Sequence, residues 1–305
     1  MPYLQFLFIC VVWGSSFILM DRAAHAMGPL AIGCSRLLCG ATVLGIYWAA
    51  KGPRVRIRPV DWAHIGFVAL IANAWPFTVL PLVMTRANEH GYFGMMVSLV
   101  PLVTLVASIP MLGIWPTTRQ LVGVLGGLVC LAGVVQDGSQ RGIPFDVLAL
   151  ALTVPLTYAI GNTYIKWKLE HLPPLPLTVL FLTFGGLMLL PLQFSPTLLA
   201  TLKLGGPAEP SGWLLAIGSI MLLGTLSTGL AILTFIYLVK QQGPLFAGMV
   251  TYIIPLIALA WGQYDQEQLT PLQIGAMAGV LAMVSLVQWG AAEPREQPQT
   301  VPIAD

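Results

Sequence analysis

Charge is what this sequence has least of. Only 9% of its 305 residues are Asp, Glu, Lys or Arg, against roughly a quarter in a soluble globular domain, and that shortage excludes an ordinary water-soluble enzyme. Basic runs interleaved with aromatic residues are also missing, and a formal net charge of +2 leaves no surface for nucleic acid. The four cysteines, Cys10, Cys34, Cys39 and Cys130, lie in apolar stretches without ligand-like spacing. They read as packing side chains, neither a disulfide framework nor a metal site. There is no Gly-x-x-x-x-Gly-Lys-Ser/Thr loop and no Gly-x-Gly-x-x-Gly after a strand, which argues against ATP-driven pumping by this chain alone. His-Glu-x-x-His, paired aspartates and a Gly-x-Ser-x-Gly elbow are likewise missing, so an intramembrane enzyme has neither a nucleophile nor a metal set. No catalytic residue, metal ligand or cofactor is expected.

What the chain does have is apolar length. The apolar set makes up 57% of it, mean hydropathy is +0.83, and 31 Gly and 24 Pro are present, a composition that damages soluble helices but is common in membrane ones. A bilayer core needs roughly 20 apolar residues per helix. Ten such windows emerge: 3–20, 29–49, 62–84, 91–114, 119–136, 146–165, 174–194, 212–236, 244–264 and 271–290. The fold class is therefore an all-α integral membrane protein of ten transmembrane helices. Residues 291–305, rich in Pro, Glu and Gln, are expected to be a disordered tail. The first window has no Lys or Arg before it and no convincing cleavage site after Ser15 and Ser16, so it is expected to be retained rather than cleaved as a signal. Loops on the side of the termini hold Lys51, Arg54, Arg56, Arg58, Arg119, Lys166, Lys168, Lys240 and Arg295, whereas the other side holds only Arg22, Arg86, Arg141 and Lys203. By the positive-inside rule both termini are expected in the cytoplasm, in a multi-pass protein of the inner (plasma) membrane.

The sequence also repeats itself. Gly94-Met-Met-Val-Ser-Leu-Val-Pro101 is matched by Gly248-Met-Val-Thr-Tyr-Ile-Ile-Pro255, and Thr118…Gly123 by Thr270…Gly275, with Gln136 and Gln288 following at equal distances. The expected organisation is a five-helix repeat over 1–136, a connecting loop 137–145, a second repeat over 146–290, and the cytoplasmic tail 291–305. Five is odd, so the second copy must enter the bilayer from the other side. Two inverted repeats give a transporter a route to alternating access, with substrate near the midplane between them.

Several segments carry a family resemblance. Trp13-Gly-Ser-Ser-Phe17, Arg36 in the second span, the Gly…Pro fourth and ninth spans and Glu267-Gln-Leu-Thr270…Gly275 resemble EamA-type members of the drug/metabolite transporter superfamily. The resemblance covers nearly the whole chain and implies a ten-helix, two-repeat transporter from a family that exports amino acids and other metabolites. One departure stands out. Family members often place an acidic residue at the end of the fourth span, as Glu267 does for the ninth, but here Leu112-Gly-Ile-Trp-Pro116 occupies that place.

Ionisable groups inside the hydrocarbon are expensive and mark function by default. Arg36 is the clear case; it can bind carbonyls and helix ends of its own half, or attract a substrate carboxylate. Asp21, Glu89, Asp137, Asp146, Asp265 and Glu267 all fall at span ends or in loops, and His64 and His90 are peripheral, so no embedded carboxylate is available for proton antiport. The remaining candidates are uncharged. Trp13 and Ser16 share a face of the first span, and Tyr158 and Asn162 one of the sixth; Asn73, Trp75, Ser98, Thr228, Thr251 and Tyr252 complete the candidate substrate site. Each has a plainer reading as well: hydroxyls bonding their own helix, aromatic rings anchoring at interfaces. Gly94 with Pro101 and Gly248 with Pro255 are the expected gating or hinge pairs. Such a lining suits a small amphipathic solute, an apolar or aromatic amino acid, and suits nucleotides poorly. The expected partners are that small-molecule substrate and the lipid bilayer, with no nucleic acid, the chain acting as a monomer or homodimer. The rival readings are an intramembrane enzyme and a receptor or scaffold without a transport cycle.

Overall fold

The computed structural model describes residues 2–52, 54–113, 115–238 and 250–288. The helices are α1 (Tyr3–Ala24), α2 (Pro29–Lys51), α3 (Pro59–Ala87), α4 (Gly91–Leu112), α5 (Thr118–Gln140), α6 (Phe145–Lys168), α7 (Pro174–Phe194), α8 (Trp213–Leu238), α9 (Val250–Tyr264) and α10 (Pro271–Gln288). The first eight are long and apolar enough to cross a membrane; α9 and α10 are apolar but shorter over their described residues. Wherever both ends are described, the helices lie within about four residues of the sequence-derived windows. Gly248 and the tail fall outside the described residues.

Local chemistry explains the helix limits. Four helices open on proline (Pro29, Pro59, Pro174, Pro271), whose missing N–H would be unpaired there anyway. α5 opens on a Thr117/Gln120 capping box, the reciprocal pairing that satisfies two orphan donors. α3 ends on Asn88 at φ 56° and α4 on Gly113 at φ 68°, the left-handed stop that Gly and Asn accept most readily.

The chain's two halves are related in space as well as in sequence. A π-helical segment interrupts α3 at Ala69 and α8 at Leu223, 154 residues apart, the same separation as Gly94 from Gly248 and Pro101 from Pro255. The principal contacts between halves either join equivalent helices (α2 with α7, α4 with α9, α5 with α10) or occur in exchanged pairs: α1 with α9 and α6 with α4, α2 with α8 and α7 with α3, α1 with α8 and α6 with α3. That pattern is a pseudo-two-fold between repeats of opposite direction.

The glycines of α5 are used inside the chain. Gly126 faces Met283, Gly133 faces Ala276, Gly127 faces Leu102, and Gly279 of α10 faces Cys130, so small residues let α5 and α10 approach closely. Outward-turned Ile46, Val129, Leu214 and Ile217 are exposed, as a lipid-facing surface requires. All four cysteines are free.

Candidate functional site

A closely drawn helix crossing positions the most unusual side chain. At the α2–α8 contact a Cβ added to Gly40 would lie 2.9 Å from the Gly224 carbonyl oxygen, and one added to Gly224 would collide with Cys39. With the glycines in place, the π segment of α8 sits against α2 and Thr228 reaches Arg36. Gly224→Ala is therefore expected to destabilise the protein by about 1–3 kcal/mol through overpacking, read as a lower melting temperature in detergent. An unchanged melt would mean that the crossing is looser than drawn.

Arg36 lies seven residues, about 10 Å, into α2 and is 4% exposed. Its Nε donates to Thr228 Oγ1 at 3.0 Å and its Nη1 to Met20 Sδ at 3.2 Å. The guanidinium carbon stands 4.1 Å over the Phe77 ring, Phe77 meets Tyr158 edge-on at 6.4 Å, and Tyr158 is within electrostatic range of the cation. Five helices converge here, α1, α2 and α3 from the first half and α6 and α8 from the second. None of the ion pairs among the described residues involves Arg36. Trp13 ties the same region together from α1, its indole donating to the Ser227 carbonyl at 2.9 Å and its ring meeting Phe235 at 5.2 Å.

The other sequence candidates are placed less evenly. Ser16 and Ser98 are buried but donate to carbonyls of their own helices, Trp13 and Met95, at 2.6 Å each. Asn73 is buried inside the π segment of α3, and its side-chain amide donates to Val68 O of its own helix at 3.2 Å. Two candidates stand apart from the Arg36 group. Trp75 is 42% exposed and donates to Thr153 on α6. Asn162 is exposed although it shares a face with Tyr158, because that face leaves the packed interior one turn further along. Thr251 lies half-buried on α9, and the side chain of Tyr252 falls outside the described residues. Gly94 faces Ala258 across the α4–α9 contact, Pro101 follows a 3₁₀ turn in α4, and Pro255 is buried within α9.

A second constellation, missed by sequence reasoning, forms at the end of the bundle where α3 and α5 end and α4 and α10 begin. Arg141, just after α5, donates to Asp137 at 2.7 Å, to both oxygens of Glu89 at 2.9 and 3.0 Å, to the Gln268 carbonyl at 2.6 Å and to Gln273. Thr270 donates to the other oxygen of Asp137. Glu267 accepts from the backbone N–H of Gly91 at 3.0 Å and from that of His90, capping the start of α4 from another chain segment. His90, 4% exposed, places Nε2 2.8 Å from Asp265, which also pairs with Arg22. A recess of about 390 Å³ is bordered by Asn88, Glu89, Arg141, Asp265, Glu267 and Thr270. The charged members appeared in the sequence at span ends or in loops, with Glu267 and Thr270 also part of a family-like segment; their convergence is tertiary and left no local signal.

The two outer carboxylates respond to this setting in opposite directions. Burial, the largest influence, pushes Glu89 above the usual carboxylate range against the pull of Arg141. Burial also opposes ionisation of Asp265, but Arg22 and His90 together outweigh it and hold the group below its ordinary 3.8. A depressed carboxylate stabilises the fold above its unfolded value, and the contribution disappears as pH falls through its folded value. Asp265→Asn is therefore expected to lower stability at pH 7 and to shrink the acid loss below about pH 4, checked by melting curves across pH. An unchanged acid limb would contradict the pairing.

The EamA-like transporter family matches residues 1–136 and 147–289. An uncharacterised inner membrane transporter of Escherichia coli (strain K12), YedA, is 24% identical over 296 residues, covering 96% of this chain and 92% of its own. The uncharacterised transporter YvbV of Bacillus subtilis (strain 168) is 23% identical over 280 residues, covering 92% and 88%. An uncharacterised transporter of Archaeoglobus fulgidus is 24% identical over 267 residues, covering 88% and 90%. A solved crystal structure superposes with a TM-score of 0.65 at 16% identity over 93% of this chain and 95% of that one, a likeness of fold.

Proposed function

Because the chain belongs to the EamA-like transporter family, and is therefore a multi-pass membrane transporter and not an enzyme, we propose that it exports a small amphipathic metabolite, an apolar or aromatic amino acid, by alternating access between its inverted repeats. The observation that carries this reading is the convergence of five helices from both halves on Arg36, with Met20, Phe77, Tyr158 and Thr228 around it. A site drawn from two repeats changes its access whenever they move against each other. The Arg36 group is the centre of that site, Trp13 its link from α1 to α8, and the sequence pairs Gly94 with Pro101 and Gly248 with Pro255 its hinge.

In this reading the protein lies in the inner (plasma) membrane with both termini in the cytoplasm, so the Arg141–Glu89–Asp137 and His90–Asp265–Arg22 network closes the outer face. The two ends close differently. The 154-residue separation that relates α4 to α9 carries Asp265 and Glu267 onto Met111 and Gly113, neither of which carries charge, whereas the other end is tied by buried Asp61 of α3, which pairs with Arg58 and with His171 of the second half; opening outward therefore breaks the larger network and opening inward a smaller one.

The test is uptake of radiolabelled amino acids and small amphipathic amines into proteoliposomes, with and without an imposed pH gradient. Saturable uptake of one class that persists without the gradient is expected, since the carboxylates named above sit at helix ends or in loops. Strict dependence on the gradient would contradict transport uncoupled from protons, and no flux for any compound would contradict the substrate class.

A further inference from the structure

Resting on the reading that substrate passes the Arg36 group, we propose that the group recognises a carboxylate, and that the substrate class is apolar monocarboxylates whose amino group, where present, is dispensable.

Arg36 cannot lose its proton in any ordinary setting, so its charge is a fixed feature of the packed interior. The contacts it makes do little to offset that charge. A thioether is a weak acceptor, a hydroxyl carries only a dipole, and the Phe77 ring offers a cation–π contact without neutralising anything. Buried charges are ordinarily paired or coordinated; Arg141 in the same protein shows the ordinary arrangement, held between Asp137 and Glu89. Arg36 has no carboxylate within ion-pair distance among the described residues. None of the described carboxylates supplies its counter-charge, which leaves that role to a ligand.

The chemistry of the surroundings selects the anion. Nε is committed to Thr228, whereas Nη1 is held by the sulfur of Met20, a flexible side chain that a stronger acceptor displaces. A carboxylate matches the planar guanidinium fork and cancels its single charge. A phosphate dianion would leave a surplus negative charge among Met20 and Phe77, both buried, and is disfavoured on that ground. The body of the ligand meets thioether and aromatic side chains, so it is apolar. A zwitterion's ammonium finds no complementary carboxylate in the Arg36 group, because that group consists of Met20, Phe77, Tyr158 and Thr228. Ser227, beside Thr228, has a buried hydroxyl with no partner among the described residues, which is a hydrogen-bonding group left for a ligand and not a charge for an amine.

Equilibrium binding to the purified full-length protein in detergent tests this with L-phenylalanine, 3-phenylpropanoate, L-leucine, 4-methylpentanoate, L-phenylalaninamide and 2-phenylethylammonium. The expected result is that acids with and without the amino group bind within about threefold of each other, while the amide and the amine bind on the order of 30-fold more weakly, the size of a hydrogen-bonded charge contact. Arg36→Gln should erase that preference and Arg36→Lys should keep part of it; the lysine variant retains the buried charge and so keeps the test open if the glutamine variant fails to fold. Equal binding of amide and acid, tighter binding of the amine, or no binding of any carboxylate would each overturn the inference. In the first two cases saturable flux of amphipathic compounds would still stand, whereas absence of all binding together with absence of all flux would overturn the transport reading with it.

Discussion

Arg141→Met is expected to destabilise the protein by about 3–5 kcal/mol, the range seen when one partner is removed from a buried ion pair. The reason lies in what is left behind. Asp137 is 1% exposed and Glu89 19%, and without the guanidinium two carboxylates would face each other across a half-closed recess with only Thr270 and peptide groups to help. The Gln268 carbonyl and the Gln273 side chain would lose their donor as well. Asp137→Asn in the same background should recover part of the loss, because it removes one of the stranded charges; the recovery measures the coupling between the two groups. Arg86→Met is the matched control. Arg86 and Asp146 are 3.8 Å apart, with Asp146 largely exposed, so its loss should cost less than about 1 kcal/mol. Equal melting temperatures for the two variants would contradict the buried network.

The second large effect separates stability from function. Arg36→Met is expected to leave the melting temperature nearly unchanged, or to raise it, while lowering flux on the order of 30-fold or more. Replacing a buried charge that lacks a paired carboxylate by an apolar side chain of similar length removes a desolvation cost at the expense of one hydroxyl hydrogen bond, one weak bond to the Met20 sulfur and one cation–π contact. Transport loses the fixed charge at the junction of the two halves. A substantial fall in melting temperature with normal flux in the surviving protein would instead make Arg36 a tie between α2 and α8. Two arginines substituted by the same residue are thus expected to behave in opposite ways, and the difference is whether the protein supplies the anion itself.

Much of the architecture was legible in the sequence because a bilayer imposes a length rule that each helix obeys separately. The windows needed no tertiary information, and the Gly94…Pro101 and Gly248…Pro255 match announced a two-fold relation that the helix contacts repeat. The site was legible only in part. Arg36, Tyr158 and Thr228 stood out as polar or aromatic groups in apolar spans, and the structure brings them together. Trp75 and Asn162 stood out for the same reason, yet helical spacing says which residues share a face and not which face turns inward, and these two are exposed. Asn73 is buried but spends its amide on Val68 O within its own helix, a bond that spacing does not display. The outer network was missed because Glu89, Arg141 and Glu267 lie in three loops far apart in the chain, and charge in a loop ordinarily means solvent.

The most direct measurement is uptake of the amino-acid and amine panel into proteoliposomes by the wild-type protein and by Arg36→Met side by side. Saturable uptake of a carboxylate-bearing apolar solute by the wild type, reduced to near the protein-free rate in a variant that still melts normally, is the expected result. Undiminished uptake by the folded variant would contradict a substrate path through Arg36.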